Sequence, residues 1–181
     1  MNDNKPKILL HACCAVCLGY PILLLSERFQ PVVFFSNSNI YPSEEYDRRK
    51  NELVSYCENK GYEYLISEYA PEKWYKFIEG LESEPEKGLR CNKCFEFRLI
   101  ESAQKAVELG ISAFTTTLTV SPHKVSQNIF KVANCVAQNY GLEFVEYDFK
   151  KNNGFVKTMQ IAKENNFYRQ QYCGCEYSIR T

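Results

Sequence analysis

Apolar and polar residues follow two rhythms along this chain: short unbroken apolar runs, and longer stretches repeating every three to four residues. Lys7 to His11 is a short apolar strand that ends in a cysteine-rich turn. Leu18 to Phe29 reads as a helix, with Pro21 tolerable only near its first turn, because proline has no amide hydrogen for the helical ladder. Val32 to Ser36 is an apolar run of the kind found in parallel strands buried on both faces. Ser43 is a good N-cap for a helix whose Tyr46, Leu53, Val54 and Cys57 share one face and which Gly61 ends. Tyr62 to Ile66 is a third strand.

The rhythm breaks between Glu68 and Arg90, where six Glu and three Lys mix with Pro71, Pro85 and Gly88. A short helix around Trp74 to Ile78 followed by a mobile loop is expected there. From Cys94 an amphipathic helix runs to Leu109 and stops at Gly110. Ala113 to Thr119 is a strand of small and β-branched residues. Ser121-Pro122 starts another helix, with Pro122 at the permitted first position, and Gly141 ends it. Leu142 to Tyr147 is the fifth strand and Val156 to Asn165 the last helix.

This alternation predicts an α/β fold: a Rossmann-like parallel sheet of about five strands with helices on both faces. Residues 1–181 read as a single domain carrying a cysteine-rich metal site, with 148–181 as a C-terminal helix and Cys-Gly-Cys tail. Ligands of such sheets bind beyond the carboxyl ends of the strands. Both the first cysteine turn and Thr117-Leu118-Thr119-Val120-Ser121-Pro122 belong on that edge.

Composition changes the picture in one respect. The chain is 45% apolar and 24% charged with zero formal net charge, so no global field draws it to nucleic acid or membrane. Ile8-Leu9-Leu10 is too short for a signal segment and no apolar run is long enough to span a bilayer, so a cytoplasmic protein is expected. Cytoplasmic thiols stay reduced, which turns cysteine groups into metal or catalytic candidates. Of nine cysteines, seven fall into three groups: Cys13-Cys14-Ala15-Val16-Cys17, Cys91-Asn92-Lys93-Cys94 and Cys173-Gly174-Cys175.

If a helix starts in the first turn, its thiols share one face, and the helix N-terminus favours the thiolate that ligates metal. Two Cys-x-x-Cys pairs would suit zinc. Adjacent cysteines in a strand-to-helix turn suit a multi-iron group, and spacing tilts toward iron–sulfur without excluding zinc. The Cys173-Gly174-Cys175 pair closes a disulfide bond only with strain, which suits redox use, and equally its thiolates could hold a metal. Cys57 and Cys135 read as core residues of helices. His11, ending a strand beside the cysteine turn, either tunes a cluster or donates a proton, or is hydrogen-bonded structure.

Several rarer motifs accompany these groups: His11-Ala12-Cys13-Cys14, Asn39-Ile40-Tyr41-Pro42, Glu45-Tyr46-Asp47-x-Arg49, Arg90-Cys91-x-x-Cys94-Phe95-x-x-Arg98-Leu99, Thr116-Thr117-Leu118-Thr119-x-Ser121-Pro122-x-Lys124 and Tyr168-Arg169-Gln170-x-Tyr172-Cys173-Gly174-Cys175-x-Tyr177-Ser178. Together they resemble the cobalamin-independent epoxyqueuosine reductases, the QueH family, over nearly the whole chain. Val16 departs from the family's usual proline and removes no ligand. The resemblance implies a nucleotide α-hydrolase-like Rossmann fold and a tRNA-modifying oxidoreductase that reduces epoxyqueuosine in the anticodon loop to queuosine.

It also implies a [4Fe–4S] cluster on Cys13, Cys14, Cys91 and Cys94. A second redox or mononuclear iron site would involve the remaining cysteines, with Cys17 a further metal ligand and Cys173 and Cys175 catalytic. Asp47 is a candidate iron ligand or proton donor. The tRNA partners implied are the Asp, Asn, His and Tyr isoacceptors, with an electron donor still to be named and no membrane.

Phosphate contacts need cations, and from Asp148 onward Lys150, Lys151, Lys157, Lys163, Arg169 and Arg180 outnumber Asp148, Glu164 and Glu176. Lys150 and Lys151 are therefore candidate tRNA contacts, while Tyr168, Arg169 and Tyr172 could hold an everted base. Two other classes compete. An ATP-using tRNA thiolase would need a glycine-rich phosphate loop after the first strand, but the first glycine is Gly19. A zinc-stabilised nucleic-acid-binding module without catalysis would be colourless, whereas an iron–sulfur protein is brown.

Overall fold

The computed structural model describes residues 5–179; Arg180 of the expected basic set lies outside them. Five parallel strands form one sheet in the order β3-β2-β1-β4-β5: β1 (Lys7–His11), β2 (Gln30–Phe35), β3 (Tyr64–Ile66), β4 (Ala113–Thr116) and β5 (Glu143–Phe144). The helices are α1 (Ala15–Ser26), α2 (Ser43–Lys60), α3 (Pro71–Phe77), α4 (Leu89–Glu108), α5 (Ser126–Tyr140) and α6 (Gly154–Glu164). This is the α/β Rossmann-like arrangement that the alternation predicts.

Side chains alternate across the sheet, and each face has its own apolar core. Ile8 and Leu10 join Val33 and Phe35 under α1 and α2. Leu9 joins Val32 and Phe34 beneath α4 and α5. Helix α6 lies close against α1 because Gly19 has no side chain; a Cβ there would stand 2.7 Å from Ile161 Cγ2. A third cluster of Trp74, Ile78, Cys94, Phe97 and Cys175 fastens α3 and the tail to α4.

Several boundaries differ from the sequence reading. Helix α1 starts at Ala15, not Leu18, because Cys14 is its N-cap: Cys14 Sγ accepts from the Cys17 amide at 3.4 Å. Pro21 then falls inside the helix, leaving the Cys17 carbonyl without its helical donor. Helix α4 starts at Leu89, not Cys94, which puts Cys91 and Cys94 in its first turns.

Strand β4 ends at Thr116, and Thr117–Val120 tightens into a 3-10 turn. Ser121-Pro122 opens a turn rather than a helix, with the Lys124 amide donating to the Ser121 carbonyl at 3.2 Å, so α5 waits until Ser126. Only Glu143 and Phe144 of the fifth run form a strand. The chain beyond them is held by side chains: Thr115 Oγ1 donates to the Val145 carbonyl at 2.8 Å and Thr119 Oγ1 to that of Tyr147 at 2.7 Å. The segment before α4 is fastened by Arg90, which donates to the carbonyls of Glu82 and Glu84.

Candidate metal and redox site

The chain moves outward from β1 to β2 and β3, then returns to β4 on the other side of β1. The crevice of such a sheet opens where the order reverses, at the carboxyl ends of β1 and β4. His11 and Thr116 pair across that point. Immediately beyond them come Cys13 and Thr117, with Cys13 Sγ 3.8 Å from Thr117 Oγ1.

His11 is buried completely and closes the strand ends. Its Nε2 lies 3.1 Å from the Ser36 carbonyl, an acceptor only, so the proton is on Nε2. Nδ1 then accepts from Thr116 Oγ1 at 2.8 Å. Burial, reinforced by the nearby Arg98 charge, lowers its pKa to about 3, so the ring is neutral. Of the two roles open for His11, the structure shows hydrogen-bonded support.

The sulfur ligand atoms of Cys13, Cys14 and Cys17 all lie within 4.8 Å of one another and can hold a metal. Hydrogen bonds from the Cys14 and Cys17 thiols hold Cys13 well below the usual thiol range. Its hydrogen bond with Cys13 raises Cys14 to about 12, and Cys17 is raised by its bonds to both partners. Cys13, at the N-terminal end of α1, is the thiol of the three whose charged form the site favours.

A cavity of about 340 Å³ brings the three cysteine groups together: Cys13, Cys17, Cys91, Cys94, Cys173 and Cys175 all line it. Cys14 lies beneath, where Gln170 Nε2 donates to its Sγ at 3.3 Å. Burial pushes Cys94 up to about 12 and raises Cys91 and Cys175. All the cysteines are free thiols, so the expected Cys173–Cys175 disulfide bond is not formed.

Buried cations surround this sulfur. Arg98 is 2% exposed, with no carboxylate at ion-pair distance among the described residues. One of its nitrogens donates to Asn37 Oδ1, and Asn37 in turn holds the Ala12 carbonyl at 2.9 Å, which fixes the cysteine turn. Its Nε has no partner. An unpaired buried guanidinium costs several kcal/mol unless an anion faces it. Many sulfurs and a spare positive charge fit a thiolate-bound metal group of net negative charge.

The tail reaches the cavity by strapping across α2. Arg49, 1% exposed, pairs with Glu45 at 2.7 Å and donates to the carbonyls of Cys173 at 3.1 Å and Tyr172 at 3.3 Å. The Gly174 carbonyl accepts from the Tyr41 amide at 2.8 Å. Tyr172 lines the cavity, and its hydroxyl donates to the Tyr41 carbonyl.

Other expected site residues lie elsewhere. Asp47 is exposed and pairs with Lys50 at 2.6 Å, because the i, i+4 pair Glu45 and Arg49 takes the inward face of α2. It is not among the residues that line the cavity. Lys150 is not a free surface cation: its Nζ donates to the carbonyls of Thr119 and Lys124, both at 3.2 Å, and to Ser126 Oγ. Asp148 adds an ion pair at 3.2 Å, so Lys150 braces the loop before α5.

Lys151 is 72% exposed, and Arg169 is exposed. Tyr168 bonds to Glu45 at 3.1 Å beneath the Arg48 guanidinium. Cys57 is buried as expected, whereas Cys135 is exposed on a groove between α4 and α5. Arg98, Arg49, Lys124 and Gln170 have no role in the sequence reading; their signal is their place inside the motifs that carry the resemblance, Arg98 and Gln170 beside cysteines and Arg49 and Lys124 far from them.

The fold and the crevice define a Rossmann-like protein with a thiol-lined site in which Cys13, Cys14 and Cys17 could hold a metal. The family model described as "Epoxyqueuosine reductase QueH" matches residues 8–181, and the chain belongs to that family. It is 42% identical to the epoxyqueuosine reductase QueH of Streptococcus pyogenes serotype M1, over 97% of this chain and 71% of the relative. The Acinetobacter baylyi protein of that name is 37% identical, over 99% and 84%. That of Thermotoga maritima is 31% identical, over 95% and 90%. No helix among the described residues is long and apolar enough to cross a membrane.

Proposed function

We propose that this chain, acting as one domain in the cytoplasm, reduces epoxyqueuosine to queuosine in the anticodon loop of the tRNA isoacceptors for Asp, Asn, His and Tyr. One observation carries the reading: three cysteine groups far apart in sequence line a single cavity at the sheet's switch point. Family membership supplies the substrate. The reaction breaks both C–O bonds of an epoxide, takes up two electrons and two protons, and releases the oxygen as water.

Cys13, Cys14, Cys91 and Cys94 would hold a [4Fe–4S] cluster, with Cys17 completing the sulfur-rich wall. Such a cluster, when bound, supplies electrons one at a time. Cys173 and Cys175 would form the second redox element, as a dithiol pair or as ligands of a second iron. Arg98 would supply positive charge against the sulfurs. Tyr172, at the cavity wall, would stack the everted base. Lys151 and Arg169 would meet backbone phosphates, with Tyr168 beside them holding the strap in place.

The test is anaerobic purification with iron and sulfide counted, then incubation of the brown protein with dithionite and an epoxyqueuosine stem-loop. Queuosine should form. Cys14→Ala should lose most iron and sulfide; a variant keeping four irons and full visible absorbance would overturn the ligand assignment. Colourless protein with zinc alone would establish the binding-module alternative.

A further inference from the structure

Lys124 lies on the cavity wall that faces the thiols, in the loop between the 3-10 turn and α5. It shares that wall with Cys13 and Cys17 of the cysteine turn and with Cys173 and Cys175 of the tail, so its ammonium opens onto the same space as both sulfur groups. Its backbone is held in place: Lys150 Nζ donates to the Lys124 carbonyl at 3.2 Å and to the Thr119 carbonyl at 3.2 Å. This is the brace that removes Lys150 from the surface.

Reduction of an epoxide to an alkene piles negative charge on the departing oxygen before protons reach it. A donor aimed at that oxygen in a water-poor site is worth more than the same donor in water. The carboxylate expected from sequence for this region, Asp47, is outside the cavity. Among the other cations lining the cavity, Lys87 is exposed at its edge, Arg90 is spent on the carbonyls of Glu82 and Glu84, and Arg98 is spent partly on Asn37.

We infer that Lys124 is the substrate-oxygen contact of this site: its ammonium donates a hydrogen bond to the epoxide oxygen and stabilises the charge that oxygen gains as the C–O bonds break. The inference rests on the reductase reading. An external reductant supplies two electrons, one at a time, and solvent supplies two protons, so that both C–O bonds break and the oxygen leaves as water. Lys124 supplies the donor contact, and neither gains nor loses a proton overall.

The contact predicts discrimination between substrate and product, since queuosine lacks the oxygen. Affinities of wild type, Lys124→Met and Lys124→Arg for matched stem-loops carrying epoxyqueuosine or queuosine would be compared anaerobically, with iron counted in each. Lys124→Met should keep its iron and lose the preference for the epoxide by roughly ten-fold or more, the worth of a charge-assisted hydrogen bond. Its kcat/KM should fall by about 10²-fold or more, further than the affinity, because the contact strengthens as the oxygen gains charge. Preference and kcat/KM within two-fold of wild type would overturn the inference.

If Lys124→Met sheds its iron, Lys124→Arg decides. Arg keeps the charge but displaces the donor, so an iron-loaded Arg variant without preference supports the contact. An iron-loaded Arg variant with full preference and rate shows a counter-charge to sulfur only, and overturns it. Failure of the iron-loaded wild type to reduce the epoxide would sink the reductase reading itself, a result distinct from any of these.

Discussion

The two ends of the cavity are built differently. The Cys13–Cys17 turn is part of the fold: β1 leads into it, α1 grows out of it, and Asn37 and Thr117 hold it from neighbouring strand ends. The Cys173–Cys175 tail belongs to no strand and has only a 3-10 turn of its own, Glu176–Ser178. Arg49, the Tyr41 amide and the small cluster around Trp74 hold it in place. One sulfur group is therefore as stable as the sheet, while the other is as stable as a few fastenings. Elements that must admit a large substrate are drawn from the less stable end of a protein. A strap held by polar contacts across α2 provides such an element without disturbing the ligand turn.

Arg49→Leu tests this contrast most severely. The substitution leaves Glu45 buried without its partner and frees two carbonyls of the strap. Removing one side of a buried pair costs about 3–5 kcal/mol. Amides from 168 to 178 should exchange far faster in hydrogen exchange, while those of β1 and β2 keep most of their protection. Uniform loss of protection through the sheet would show that strap and sheet unfold as one, and the contrast would collapse.

Exchanging sulfur for oxygen at each end comes next. Cys173→Ser should leave the [4Fe–4S] spectroscopic signal in place while turnover falls by about 10²-fold, the scale of losing a group that takes part in proton or electron transfer. Cys13→Ser should lose the signal itself. Iron per chain then identifies the tail's role: one iron lost in Cys173→Ser makes it a metal ligand, unchanged iron makes it half of a thiol pair. Near-normal turnover would remove the tail from the chemistry.

A backbone change at the strap is milder. Gly174 has φ +140°, a region that residues with side chains avoid, and a Cβ there would lie 3.2 Å from Arg49 Nη1 and 3.3 Å from Ile40 Cγ1. Gly174→Ala should cost about 1–3 kcal/mol, nearly all of it in the strap. Limited proteolysis should cut near the tail sooner, with the thermal midpoint of the sheet little moved. A drop in that midpoint matching the full cost would tie the strap to the global fold.

The same contrast explains what could be read from sequence. The alternation and the buried runs at Leu9 and Phe34 disclosed the sheet, because parallel strands have no polar face to confuse the pattern. Helix starts differ from the sequence reading at thiol and serine signals alike: Cys14 caps α1, Ser43 is the first residue of α2 behind an N-cap at Pro42, α4 starts at Leu89, and Ser121-Pro122 opens a turn ahead of α5. The cysteines named the site, since three groups at short spacing have few other uses. Which charges faced them was hidden. Asp47 and Arg49 are two residues apart on one helix, and only the packing of α2 turns one outward and the other into the strap. Lys150 reads as a surface cation until three oxygens of a loop distant in sequence claim it.

The smallest effect concerns how RNA meets the two regions. Arg169 belongs to the strap and Lys151 to the body, and both are exposed. Each phosphate neutralised releases counterions and adds roughly 0.7 to the slope of log affinity against log salt for a single-stranded segment. Lys151→Gln and Arg169→Gln should therefore each flatten the salt dependence for an epoxyqueuosine stem-loop by about 0.7, and the pair by about twice that. Flattening by Arg169→Gln alone would mean that the loop is gripped by the strap, so binding and strap motion are coupled. Flattening by Lys151→Gln alone would put the grip on the rigid body and leave the strap free to move over bound RNA. An unchanged slope in the double variant would place the phosphate track on a different face.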